Sequence, residues 1–319
     1  VIERVFGASL RELPTSLETS PRTATRAHLE LAKTRGVDRI SIGIQSFVDD
    51  ELRALGRPSS RSAALEALER IASAGFGTTN IDLIYGARGQ TLESFQDSLE
   101  LALGFEPEEV YLYPLYVRPL TGLDKRARQL ARVEDPRAAL YEDGRARLLE
   151  AGYEQRSLRM FSRPRAEDAP TYRCQEDGMV GLGCGARSYT RAVHYSDDFA
   201  VSRRSVRGIL EAWVERAAAS FDQAHYGAHL DAAEQRRRYL IQSLGHADGL
   251  DRASYAARFG TTVEHDFPRE LAELAGAELI AERDDRIVPT ARGFAFADVV
   301  GPWLYSREVQ HRMQEFELR

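Results

Sequence analysis

Cysteine is nearly missing from this chain: 319 residues carry two, Cys174 and Cys184. Two cysteines in so long a chain make no disulfide framework, so a reducing cytoplasm is the expected compartment. No uninterrupted apolar run approaches the ~20 residues that span a bilayer, which argues against a membrane-spanning helix. No signal-peptide pattern opens the sequence, and Val1 stands where an initiator methionine would. Positive charge is not in excess. Lys and Arg total 43 against 49 Asp and Glu, a net −6, which disfavours non-specific attachment to nucleic acid or a membrane surface. There is no His-Cys cluster of zinc spacing, no Gly-x-Ser-x-Gly elbow and no Walker A loop. No internal repeat and no low-complexity tract is visible.

What is present suits one large or two medium domains, at 43% hydrophobic and 29% charged residues. Residues 13–21 read as a short strand closed by Pro21. Thr23 to Arg35 reads as a helix stopped by Gly36, and Arg39 to Gln45 as a β-branched strand. Ser60 to Ala74 has Ala64, Leu65, Leu68, Ile71 and Ala72 at helical spacing, with Gly75 as its C-terminal cap. Thr78 to Tyr85 is a strand, and Leu92 to Leu103 a helix with Phe95 and Leu99 inward. Val110 to Val117 is an aromatic-rich strand whose tyrosines read mostly as packing, with at most one or two lining the cavity. Pro136 to Ala151 is a helix, and Tyr153 to Leu158 a further strand. This alternation predicts a parallel sheet with helical crossovers, its strands apolar because both faces are covered. Roughly five strands are read before Leu158, and a full eight-fold barrel takes ~250 residues, so a partial barrel fits better.

The character changes after about Ser196, where helix signals dominate, so a boundary is drawn between 1–195 and 196–319. Asp231 to Leu244 is a charged helix. Asp251 to Phe259 and Val263 to Ala275 read as two helices across a Gly260-Thr-Thr turn. Leu279 to Ala281 and Arg286 to Val288 form a two-stranded wing, and Thr290 starts a closing helix. A winged-helix-like module invites a DNA-binding reading, but Glu264, Asp266, Glu270 and Glu273 on its second helix oppose one. His225 and His229 are four apart on a possible helix, where a solvated face outweighs a metal pair.

Glu18, Gln45, Asp82 and Arg57 fall at or near predicted strand ends. Strand C-termini of a barrel converge, so these residues can meet. Arg forks onto a carboxylate, carboxylates accept from an ammonium or a ribose, and Gln does either. The set suits a zwitterionic ligand with hydroxyls. Capping groups tied to backbone are the alternative.

The runs Ser16-Leu-Glu-Thr-Ser-Pro21, Gly36 to Phe47, Leu55-Gly-Arg57, Ile81-Asp-Leu-Ile-Tyr-Gly86 and Gly89-Gln-Thr91 resemble, in order and spacing, the family of oxygen-independent coproporphyrinogen oxidases. These are HemN-like radical S-adenosylmethionine proteins. Gly152-Tyr-Glu-Gln155 and the Gly-rich Gly181-Leu-Gly-Cys-Gly-Ala-Arg-Ser188 extend the resemblance, which covers nearly the whole chain from about Leu13. It implies a partial (β/α)6 barrel, here without its first units, and a C-terminal winged-helix-like domain. It also implies S-adenosylmethionine, a 4Fe-4S cluster, an electron donor and a 5′-deoxyadenosyl radical acting on a tetrapyrrole or another carboxylated or aromatic substrate. By position Glu18, Gln45, Arg57 and Asp82 match the residues that hold S-adenosylmethionine.

The pattern also breaks. The family's Cys-x-x-x-Cys-x-x-Cys loop and its Gly-Gly-Gly-Thr-Pro segment are not in this sequence, and truncation is the expectation over loss. Cys184 and Arg187 stand in the Gly-rich segment as candidate substrate contacts, against plain turn and surface roles. Cys174 and Cys184 do not make a three-cysteine site. A haem or tetrapyrrole carrier and a degenerate, non-catalytic paralogue remain the alternatives to an enzyme of porphyrin biosynthesis.

Overall fold

The computed structural model describes residues 2–7, 9, 12–117, 136–164, 176, 178–197, 200, 203–224 and 226–315. Two compact units emerge: Val1–Tyr116 with Ala131–Glu167, and Val117–Leu130 with Asp168–Arg319.

The first unit is a six-stranded sheet. Its strands are β1 (Ser16–Thr19), β2 (Arg39–Gln45), β3 (Thr78–Tyr85), β4 (Glu109–Pro114), β5 (Glu154–Gln155) and β6 (Met160–Ser162), in the spatial order β1-β2-β3-β4-β6-β5. Strands β1 to β4 are mutually parallel. The edge departs from the expected parallel pattern. The segment read as one strand, Tyr153 to Leu158, shortens to β5 and turns into β6, which runs antiparallel to β4. Arg156 N–H donates to Met160 O at 2.8 Å and closes that hairpin.

Five helices cover one face: α1 (Arg26–Thr34), α2 (Asp49–Ala54), α3 (Arg61–Ala74), α4 (Leu92–Leu103) and α5 (Arg137–Glu150). The periodic segments became helices with local reasons for their ends. Ser60 Oγ accepts from Ala63 N at α3's start, and Gly75 ends it at φ 64°. Thr91 and Ser94 form a reciprocal capping box on α4. Gly144 lets α5 lie close, since a Cβ there would meet the Phe95 ring at 2.7 Å.

Beneath these helices Ile40, Ile42, Ile44, Ile81, Leu83, Val110, Leu112 and Phe161 are all buried. Each contributes on the order of 2 kcal/mol of burial. They alternate with polar residues, so the strands are not apolar on both faces as the sequence suggested. Only the helix-covered face is.

The second unit holds two small antiparallel sheets. One consists of β7 (Arg187–Tyr189), β8 (Val193–Ser196) and β9 (Tyr226–His229). His229 therefore lies on a strand and not on a helix, and His225 lies outside the described residues. The other consists of β10 (Leu250–Asp251), β11 (Ile280–Arg283) and β12 (Arg286–Pro289), the wing with a third strand the sequence did not announce. Helices Ala232–Ser243, Arg252–Phe259, Val263–Asp266 and Pro268–Gly276 surround a core of Tyr239, Leu240, Leu250, Tyr255, Phe267 and Ile287. The helix expected over Val263 to Ala275 is broken at Phe267, before Pro268. Among the described residues no helix is long and apolar enough to cross a membrane.

Candidate functional site

Residues opposite one another in register share a face of a sheet. Glu18 stands opposite Ser41, Ser41 opposite Asn80, Asn80 opposite Glu109, and Glu109 opposite Ser162. The next row on the same face is Gly43, Asp82, Tyr111 and Met160. The face turned away from the helices is thus polar across five strands.

Its groups are hydrogen-bonded in sequence. Asn80 Nδ2 donates to Ser41 Oγ and to Asp82 Oδ1, both at 2.8 Å. Asn80 Oδ1 is buried with no hydrogen-bond partner among the described residues. Arg39 donates from Nε (2.9 Å) and Nη2 (2.6 Å) to Glu109 Oε2, and from Nη1 to Ser16 Oγ at 2.8 Å. Tyr111 and Tyr113 stack, with centroids 5.9 Å apart and 19° between planes. The Arg159 guanidinium lies 5.2 Å from the Tyr113 ring centre and 5.3 Å from that of Tyr116.

Burial pushes the Asp82 carboxyl up to about 6, opposed by the Asn80 hydrogen bond and reinforced by the charge of Glu18. Burial also raises Tyr111 and lifts Tyr113 to about 12, with Asp82 adding to both. Among the described residues no cation forms an ion pair with Asp82. The Arg39 guanidinium, committed to Glu109, acts on Asp82 only through space and offsets part of the effect of burial.

Gln45 ends β2 in the left-handed region, φ 74°, where the register with β3 shifts. A Cβ built on Gly43 would lie 2.5 Å from Gln45 Nε2, so the amide folds back over Gly43, in the row of Asp82. The structure therefore brings Glu18, Gln45 and Asp82 to one region of one face. Arg57 is different. It is exposed beyond α2, after Gly56 at φ 69°, and among the described residues its guanidinium forms no ion pair.

Cys184 and Arg187 belong to the second unit. Cys184 is a free, half-buried thiol between Gly183 (φ 104°) and Gly185 (φ 75°). Arg187 is exposed and opens β7 opposite Ser196. Sequence reasoning missed Arg39, Ser41, Asn80 and Glu109. The alternation Arg39-Ile-Ser-Ile-Gly-Ile-Gln45 carried the signal for the first two. Tyr111 and Tyr113 lie together on the polar face, within the one or two face-lining tyrosines that the alternation allowed.

A parallel sheet with one helix-covered face and an acidic, amide-bearing opposite face is the framework of a radical S-adenosylmethionine half-barrel. Residues 1–102 match the model of the Radical SAM superfamily, and residues 230–296 match the HemN C-terminal domain. The chain belongs to the HemN-like radical S-adenosylmethionine family. It is 27% identical to the heme chaperone HemW of Bacillus subtilis, over 92% of this chain and 76% of that protein. To the oxygen-independent coproporphyrinogen III oxidase of Thermostichus vulcanus it is 24% identical, over 87% and 89%. The fold is that of Escherichia coli coproporphyrinogen III oxidase (HemN), with a TM-score of 0.72 at 21% identity, over 92% and 70%.

Proposed function

We propose that the polar sheet face near the ends of β1, β2 and β3 binds S-adenosylmethionine, and that the whole protein serves radical chemistry on a tetrapyrrole or another carboxylated or aromatic molecule. One observation carries the reading: Asp82, desolvated and with no direct ion pair among the described residues, shares a face with Glu18 and the folded-back amide of Gln45.

The donor set fits the ligand. Asp82 accepts from an ammonium or a ribose hydroxyl, and either would offset the cost of its burial. Glu18 adds a second negative charge beside a cationic ligand. Gln45 offers one donor and one acceptor, and Arg57 can reach a carboxylate from its loop. What bound S-adenosylmethionine supplies in this family is a 5′-deoxyadenosyl group for hydrogen abstraction.

A 4Fe-4S cluster does not fit the same residues. It takes thiolate ligands, and the sequence has two cysteines. Among the described residues no group of three or more His, Cys, Asp or Glu is placed to hold a metal.

Equilibrium dialysis of S-adenosylmethionine against this chain tests the proposal. Binding that Asp82→Asn and Gln45→Ala each weaken supports it, and binding that neither changes overturns it. A second reading, a haem carrier, rests on the relatives named heme chaperone HemW. A saturable one-to-one Soret shift on haem titration, with no S-adenosylmethionine bound, would favour that reading instead.

A further inference from the structure

Glu51 is 2% exposed, yet it is a carboxylate. Its Oε2 accepts from Ser46 Oγ (2.7 Å) and Gln90 Nε2 (3.0 Å), and its Oε1 from Ser94 Oγ (2.5 Å). These partners come from three segments: Ser46 follows β2, Gln90 closes the turn after β3, and Ser94 lies in the first turn of α4. Each partner is itself tied to backbone. Ser46 Oγ accepts from Val48 N at 2.9 Å. Gln90 Oε1 accepts from Gly86 N (2.7 Å) and Ala87 N (3.2 Å), while its Nε2 also donates to Ile84 O (3.1 Å). Phe47 N donates to Ser98 Oγ of α4 at 3.1 Å.

A buried carboxylate held by neutral donors is costly unless every lone pair is used well. Here it joins the two loops that follow β2 and β3. Ser46 is the residue after Gln45, whose left-handed backbone is a strained conformation for a side chain with a Cβ. Strain of that kind persists only when the surroundings over-determine it. The fixed bend from Ser46 to Val48 supplies that constraint.

We infer that Glu51 is a positioning residue: it clamps the bend after β2 to the turn after β3, and so holds Gln45 over Gly43 beside Asp82. Its meaning for ligand binding rests on the S-adenosylmethionine reading above. The clamp itself does not.

Hydrogen exchange followed by mass spectrometry or NMR, together with S-adenosylmethionine dialysis, tests it on wild type, Glu51→Ala, Glu51→Gln, Gln45→Ala and the double variant. Glu51→Ala should speed exchange at both Ser46 to Val48 and Gly86 to Ala87 by about tenfold, the scale of one buried hydrogen bond. Glu51→Gln should restore most of that protection, because one oxygen still accepts from Ser46 and Gln90. The loss of affinity in Glu51→Ala should be absent on a Gln45→Ala background, the signature of one residue acting through the other. Unchanged exchange in a folded Glu51→Ala, or additive affinity losses, would overturn the inference. If Glu51→Ala does not fold, Ser46→Ala carries the same comparisons. A wild type that binds no S-adenosylmethionine removes the ligand reading, and the exchange data still decide the clamp.

Discussion

The side-chain amide of Gln45 fills the space that a side chain at Gly43 would need: a Cβ there would sit 2.5 Å from Nε2. Gly43 faces Asp82 across the β2–β3 pairing. Gly43→Ala should therefore leave the fold intact, because only the flexible end of Gln45 must move. It should cost S-adenosylmethionine affinity about tenfold, one well-placed polar contact. Dialysis and a thermal melt on the same preparation check both halves. A large drop in melting temperature with unchanged affinity would contradict the arrangement.

Gln45→Gly separates stability from binding in the other direction. Gln45 adopts φ 74°, where glycine carries no Cβ penalty. Relief of strain, less the greater unfolded-state entropy of glycine, should stabilise the fold by up to about 1 kcal/mol. The same change deletes the amide and should weaken S-adenosylmethionine binding. Urea denaturation and dialysis report the two effects, and a variant that loses stability would show that the left-handed turn is unstrained.

The polar face was half legible in the sequence. Gln45 and Asp82 could be named because each interrupts an apolar run near a strand end. The isoleucines at 40, 42 and 44 marked the covered face equally clearly, yet the strand was read as apolar on both. The pairing of Arg39 with Glu109 was out of reach, since it needs the register of three strands. Glu51 looked like any acidic residue in the first turn of a helix, beside Asp49 and Asp50. Its burial comes from the packing of α2 against the loop after β3, which no local pattern announces. The antiparallel β6 was hidden because a three-residue strand has no periodicity to detect.

Asp82 makes stability depend on pH with a definite sign. Burial, the largest influence, raises its carboxyl from 3.8 to about 6, so the folded chain keeps a proton that the unfolded chain has lost. Stability contributed at this site is greatest below about pH 4, falls as pH rises to about 6 and is constant above. Asp82→Asn removes the dependence. Its stability relative to wild type should grow by on the order of 2 kcal/mol between pH 4 and pH 7, before any discount for partial solvation. A ligand that pairs with the ionised carboxylate should bind more tightly at pH 7 than at pH 5. Urea titrations and dialysis at the two pH values check these outcomes, and a pH-independent difference between the proteins would count against a desolvated Asp82.

The winged module should not bind DNA, and the reason is how its arginines are used. Arg236 pairs with Asp266 at 3.0 Å, Arg237 with Glu270 at 3.3 Å, and Arg252 with both Glu264 (2.6 Å) and Glu282 (2.8 Å). Arg269 pairs with Glu273 on its own helix at 2.6 Å. A phosphate backbone would have to compete with these carboxylates for the guanidinium groups and meet the unpaired remainder of their negative charge. Fluorescence anisotropy with a mixed duplex at low salt should show no binding tighter than roughly 100 µM, the weak end of non-specific association. Reversing the sign tests the argument directly. Glu264→Lys with Glu270→Lys frees Arg237 from its carboxylate, leaves Arg252 with Glu282 alone and adds two cations, and should create salt-sensitive binding where the wild type has none. Salt-sensitive binding by the wild type would instead show that the internal ion pairs open to phosphate.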